Sequence, residues 1–297
     1  MRIVITGANG LVGSRASALL RAQGHHVTGL GRGEQRTRSL DAYVSCELSD
    51  EAAVAAAMAA ARPETVLHTA SMTEVDACEK APSLAYAANV DAAANVARAA
   101  ARANAHLVHV STDYVFDGEE GPYDESARPN PRGVYAVTKF LGEQAAMLLA
   151  PGCAIARTAV VFGWPAAARP NFGSWLVGAL GSGQQVKLFE DQVVSPSFAD
   201  SVAEMVSELA VRRLGGVWNT SGAQPVNRVG FGLALCQVFG FDPGLIVPSR
   251  LADLKLASPR PLRSALQTGK AAAHLSAQPL ALDDAFTRFH SAWRAQS

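Results

Sequence analysis

Residues 2–6 read as a strand, and the chain then runs Thr6-Gly7-Ala8-Asn9-Gly10-Leu11-Val12-Gly13 into a helical pattern over 10–23. Few folds accept three glycines between a strand and a helix. Glycine permits a tight reversal and lets backbone approach a ligand or another element without a Cβ in the way. A helix starting there presents unbonded N–H groups and a partial positive charge to an anion. Gly7, Gly10 and Gly13 are spaced GxxGxxG, not the commoner GxGxxG, but the logic of strand, glycine turn and helix N-terminus facing a pyrophosphate is shared. The turn predicts a dinucleotide-binding unit.

The next 150 residues repeat the alternation. Strands are expected at 26–30, 43–46, 65–69, 107–111 and 154–158, with helices at 50–61, 83–103 and 134–149. Short β-branched runs separated by helices predict a doubly wound parallel α/β sheet with right-handed crossovers, a Rossmann fold. Such a sheet takes ligands beyond the carboxyl ends of its strands. The second half is less regular and richer in Gly, Pro and aromatics, yet a helix at 198–213 and a strand at 217–220 still suit the sheet. The expected division is a nucleotide-binding domain over 1–163, completed by about 197–220, and a smaller interleaved substrate lobe over 164–196 and 221–297.

Composition excludes other classes. Of 297 residues, 49% are hydrophobic and 18% charged, too apolar for a disordered chain. Basic and acidic residues number 26 each, so no net positive field is available to hold nucleic acid or an anionic membrane. No run approaches the roughly 20 apolar residues of a membrane span, and the start goes directly into a strand without a signal-peptide pattern. Cys46, Cys78, Cys153 and Cys236 form no CxxC and read as buried reduced thiols of a cytoplasmic protein. The histidines show no metal-ligand spacing.

Cofactor preference is read after the second strand, where an acid suits the ribose 2′-hydroxyl of NAD and an arginine suits the 2′-phosphate of NADP. Here the chain reads Leu30-Gly31-Arg32-Gly33. Arg32 therefore favours NADP(H), with NAD(H) as the alternative; the other reading of Arg32 is a solvated loop charge. Farther on, Glu47 and Leu48 stand where they meet an adenine edge or merely lead into the Asp50 helix cap.

At the chemical end, Ser111-Thr112-Asp113 closes the fifth strand, and Tyr135 and Lys139 follow at i, i+4 on a predicted helix. A tyrosine can protonate a carbonyl oxygen while hydride adds to the carbon, and a nearby ammonium is expected to lower its pKa. Thr112 is placed to complete the proton site.

The motifs ITGANGLVGS, TEVDACE, STDYVFDG, YAVTK, RTAVVFG and DQVVSPS occur together and in order. This series resembles the extended short-chain dehydrogenase/reductases, most closely the dTDP-4-dehydrorhamnose reductase family. The likeness runs through nearly the whole chain, to the late segment Arg260-Pro261-Leu262-Arg263-Ser264. It implies NADPH-dependent reduction of a keto group on a nucleotide-linked deoxysugar. Gly10, Leu11 and Val12 would contact the cofactor pyrophosphate through backbone, and Ala70, Ser71 and Thr73 would line the cofactor. Tyr135 would donate the proton, Lys139 would hold the nicotinamide ribose, and Thr112 and Asp113 would face the sugar. Asn89 would be a structural or a cofactor-side amide.

The chain departs from that pattern in the substrate pocket. Val160 replaces the tryptophan expected to pack on the deoxysugar, and Val194 replaces the glycine of the DQxGxPT motif. Arg15 stands where some relatives carry a Mg²⁺-binding acid, so no metal is expected. Phe172 and Trp175, at i, i+3, stack on a nucleobase or belong to the core. Arg260 and Arg263 reach a diphosphate or remain surface charges. A homodimer is the base-rate oligomer. Two rival readings stay open: an epimerase or dehydratase of the same superfamily, and a non-catalytic NADP-binding regulatory subunit such as the β subunit of methionine adenosyltransferase.

Overall fold

Ile3 and Ile5 of the first strand enter one apolar core while Val4 between them enters another, so this segment is covered on both faces. The computed structural model describes residues 1–164 and 170–295. Its first half contains β1 Arg2–Thr6, α1 Leu11–Ala22, β2 His26–Gly31, β3 Ala42–Ser45, α2 Glu51–Ala61, β4 Thr65–His68, α3 Val75–Lys80, α4 Pro82–Tyr86, α5 Ala92–Arg102, β5 His106–Thr112, α6 Gly133–Leu149 and β6 Ala154–Thr158. The second half adds β7 Val161–Phe162, α7 Phe172–Gly181, β8 Val186–Phe189, β9 Val193–Val194, β10 Ser197–Phe198, α8 Ala199–Arg212, β11 Gly216–Asn219, β12 Val226–Asn227, α9 Arg228–Phe239, β13 Ile246–Ser249, α10 Gly269–His274 and α11 Leu282–Arg294.

Seven strands form one parallel sheet in the order β11-β6-β5-β4-β1-β2-β3. This is the expected doubly wound α/β sheet. The strand order reverses between β1 and β4, which opens a crevice at their carboxyl ends. One face packs Ile3, Ile5, Leu67 and Val108 against α1 and α8 through Leu20, Val202, Val206 and Leu209. The other packs Val4, Val66, Leu107 and Ile155 against α2 and α5 through Val54, Met58 and Val96.

The expected helix over 83–103 is not continuous. It starts at Pro82 and widens into a π-helical turn at Ala87–Asp91 before α5. The turn carries Asn89, whose side chain is needed elsewhere, and its carbonyl lies so close to α6 that a Cβ on Gly142 would stand 2.5 Å away. Such bulges often mark functional sites.

A separate aromatic core joins the second-half segments. Phe162 lies 5.1 Å from Phe231, 5.5 Å from Phe286 and 5.6 Å from Phe289 between ring centroids, with Leu176, Leu188 and Leu235 around them. One stretch of the expected lobe behaves differently: Ala271 and Leu275 pack in the core of the main sheet, so α10 belongs with that sheet. The expected lobe also includes residues 165–169, which lie outside the described residues.

Candidate active site

The glycine turn sits at the switch point between β1 and β4. Gly7 has φ +68°, and a Cβ there would lie 2.8 Å from the Ala70 nitrogen. A Cβ on Gly10 would lie 3.1 Å from the Gly7 carbonyl oxygen, and one on Gly13 would collide with that same oxygen. Gly13 therefore serves helix-to-turn packing, while Gly10 is exposed. Gly10 caps α1 without a side-chain hydrogen bond, so the first N–H groups of the helix, from Leu11 and Val12, are left for a ligand. This cradle fits a dinucleotide pyrophosphate.

Asn9 had no assigned role in the motif. It is buried and makes four hydrogen bonds: its amide nitrogen donates to the Glu34 carbonyl at 3.0 Å and to the Tyr43 hydroxyl at 3.1 Å, and its oxygen accepts from the Arg36 and Thr37 nitrogens at 2.9 and 3.2 Å. Thr37 also donates its hydroxyl to the Ala8 carbonyl at 2.7 Å. Asn9 thus clamps the loop after β2 onto the glycine turn and brings Arg36 to the cofactor end with exposed Arg32. Sequence spacing singled out Arg32 alone.

Other expected cofactor contacts divide. Ala70 and Ser71 are half-buried and Thr73 is exposed beyond β4. Asn89 holds this segment: it accepts from the Met72 nitrogen at 2.8 Å and donates to the Met72 carbonyl at 3.2 Å and to the Thr138 hydroxyl at 3.0 Å. It is a structural amide tying the loop to α6. Glu47 is exposed and accepts from Ser49, while Leu48 buries its side chain in the helix layer and accepts from Asn95 at 3.1 Å.

The proton-handling groups converge from three elements. Tyr135, Lys139 and Glu143 follow one buried face of α6. Thr112 ends β5; its hydroxyl accepts from the Tyr114 nitrogen at 3.2 Å and donates to Asp113 at 3.1 Å. Burial raises the Tyr135 phenol well above its ordinary value, partly offset by a hydrogen bond shared with Thr112. The expected lowering by Lys139 does not operate here: the ammonium donates to the Val110 carbonyl at 2.8 Å. Burial brings Lys139 down to about 8, opposed by Glu143. Glu143 is itself held in a buried, two-pronged pair with Arg157, at 2.9 and 2.8 Å. Tyr135 therefore rests as a protonated phenol, the form a proton donor requires.

Asp113 is buried, receives a short hydrogen bond from Ser264, and is pushed up to about 6 by burial. Tyr114 stands edge-on to Tyr135, with ring centroids 5.6 Å apart. Beyond it, Gln192 donates to the Pro261 carbonyl at 3.2 Å and accepts from Arg228 Nε at 3.0 Å. The Arg228 guanidinium lies 4.6 Å above the Phe172 ring. Phe172 thus carries Arg228 and also meets Phe231 of the aromatic core at 5.1 Å, whereas Trp175 is exposed.

Val160 adopts φ +40°, a strained state for a β-branched residue, and its carbonyl accepts from Ser197 at 3.3 Å. Val194 is fully buried. Arg260 is engaged with Asp76 at 2.8 Å and the Ser258 carbonyl at 3.0 Å, and Arg263 donates to the Glu119 carbonyl. Arg15 pairs with Asp200 at 3.0 Å and donates to the Trp164 carbonyl. All four cysteines are buried and free.

A family model described as RmlD substrate binding domain matches residues 1–293. The "Probable low-salt glycan biosynthesis reductase Agl14" of Haloferax volcanii is 33% identical, over 99% of this chain and 98% of that one. A dTDP-4-dehydrorhamnose reductase of Mycobacterium tuberculosis is 32% identical over 90% of this chain and 85% of its own length. The methionine adenosyltransferase 2 subunit beta of Xenopus laevis is 30% identical over 91% and 81%. Among solved structures, the dTDP-4-dehydrorhamnose reductase of Bacillus anthracis in complex with NADP superimposes with a TM-score of 0.84 at 26% identity, covering 98% of each chain. Among the described residues, no helix is long and apolar enough to cross a membrane. The glycine cradle, the Tyr135–Lys139 helix and a match along nearly the whole length agree: this chain belongs to the RmlD substrate-binding-domain family of extended short-chain dehydrogenase/reductases.

Proposed function

We propose that this chain is an NADPH-dependent reductase of a keto group on a nucleotide-linked deoxysugar, of the dTDP-4-dehydrorhamnose reductase type. The observation that carries this reading is that Tyr135 and Lys139 share one buried face of α6, with Tyr135 hydrogen-bonded to Thr112 at the carboxyl end of β5. The reduced nicotinamide, when bound, supplies the hydride. Gly7 and Gly10 let the backbone approach the pyrophosphate, and the Leu11 and Val12 N–H groups bind it. Arg32 and Arg36 receive the 2′-phosphate. Lys139, which rests on the Val110 carbonyl, would hold the nicotinamide ribose and would place positive charge near Tyr135. Tyr135 then passes its phenolic proton to the carbonyl oxygen, with Thr112 holding the hydroxyl in position. The relatives' printed names and the NADP complex of the Bacillus anthracis protein support the substrate class and the cofactor.

Residues 1–163, completed by 197–220, serve as the cofactor domain in this reading, and the remaining segments apart from α10 form the substrate lobe. The working form is a cytoplasmic homodimer that binds no nucleic acid. NADPH oxidation against a panel of 4-keto nucleotide sugars tests the proposal. Tyr135→Phe is expected to keep NADPH affinity and lose about 10²- to 10⁴-fold in turnover; wild-type turnover in that variant would remove Tyr135 from the reaction. The 30% identity to a methionine adenosyltransferase subunit supports one other reading, a regulatory partner. An isolated chain without turnover, recovered with a stoichiometric partner enzyme, would establish it.

A further inference from the structure

Arg228 is an arginine near Tyr114 whose fork is not satisfied by the protein. It is the first residue of α9, and the preceding Asn227 accepts from the Gly230 nitrogen at 2.7 Å and donates to the Glu190 carbonyl at 2.8 Å. Both residues therefore fasten the helix start to the 190–192 segment. Arg228 Nε is used on Gln192, and the face of the guanidinium is used on Phe172. One terminal nitrogen, Nη1, is buried with no hydrogen-bond partner, and no carboxylate forms an ion pair with Arg228 among the described residues. Arg260 differs: its terminal nitrogens are spent on Asp76 and Ser258.

A buried guanidinium arm without an acceptor is costly unless a ligand completes it. Its location names the part of the ligand. Arg228 is linked to Tyr135 through Gln192 and Tyr114, and its charge bears on both Tyr114 and Asp113. That is the end where the ketone must lie, not the nucleotide end. On the reductase reading given above, we propose that Arg228 is a specificity-determining residue that donates its free arm to an oxygen of the keto sugar. The pocket then favours sugars bearing a hydroxyl or carboxylate beside the reacting ketone and disfavours analogues deoxygenated there.

The test is titration calorimetry of the full chain with dTDP-rhamnose and with dTDP alone, for wild type, Arg228→Gln and Arg228→Lys. A hydrogen bond from a charged donor corresponds to about 10- to 100-fold in affinity. The expected result is that loss for dTDP-rhamnose in Arg228→Gln, with dTDP and NADPH affinities unchanged. Arg228→Lys, which keeps charge but loses the planar fork, is expected to fall between. Unchanged affinity for dTDP-rhamnose overturns the assignment, as does an equal loss for dTDP, which would move Arg228 to the diphosphate. Tight binding of dTDP-rhamnose by a wild type that turns over no 4-keto sugar would defeat the reductase reading and leave the Arg228 comparison intact. A wild type that binds neither ligand overturns both.

Discussion

The two ends of the site are built in different ways. The cofactor end is made of backbone: Gly7, Gly10 and Gly13 lie within seven residues, and their function is the absence of side chains that would meet Ala70 and the Gly7 carbonyl. The end proposed for the sugar is made of side chains brought from Thr112 to Tyr114, Tyr135, Phe172, Gln192, Arg228 and Ser264. A steric requirement written into seven consecutive residues tolerates little change. A wall assembled from six segments can exchange one member at a time. Cofactor binding and substrate choice are therefore separable in this scaffold.

Three substitutions sharpen that contrast. The largest effect is expected from Gly13→Ala. The new Cβ meets rigid backbone, so α1 must move away from the turn, at a cost of about 1–3 kcal/mol. Thermal unfolding should shift down by several degrees and NADPH affinity should fall; unaltered values for both would mean that the turn is not the rigid unit described here. Arg36→Ala comes next. It should weaken NADPH by about tenfold, a charge-assisted contact of roughly 1.4 kcal/mol, and leave NADH almost untouched. If only Arg32→Ala shows that difference, the Asn9 clamp does not present Arg36 to the cofactor. The smallest effect is expected from Val160→Gly, between β6 and β7. Relief of the φ +40° strain, less the entropy glycine adds to the unfolded chain, should stabilise the fold by up to about 1 kcal/mol. NADPH affinity should not change. A clear loss of stability would show that the Val160 side chain packs usefully where it stands.

The buried chemistry of α6 links the two ends. Lys139 loses its charge above about pH 8 because burial disfavours the ammonium, and Glu143 works against that loss. Arg157 grips both oxygens of the buried Glu143. Removing either partner would leave a lone charge in the core.

Much of this was legible in the residues. The sheet, its parallel sense and its glycine turn follow from local signals: β-branched runs of strand length, a helix pattern after each, and glycines where no Cβ fits. The Tyr135–Lys139 pair follows from helix geometry alone. Asn89 and Asn9 illustrate what was hidden. Each lay in a recognisable stretch, but only the fold revealed that Asn89 binds the loop at Met72 and that Asn9 fastens the loop carrying Arg36. The π-helical turn was invisible because the alanine-rich stretch over 83–103 reads as one helix; the close approach of Gly142 to Asn89 is a tertiary contact.

The amino-acid order by itself determined the elements whose causes are short-range: strand period, helix face, and a turn that needs glycine. The tertiary structure decided which charges are satisfied and which are not. Lys139 resting on Val110, Tyr135 held protonated by burial, and Arg228 left with an open arm all depend on distances between segments far apart in the chain. Desolvation and hydrogen-bond completion act through space, so no spacing within one segment encodes them.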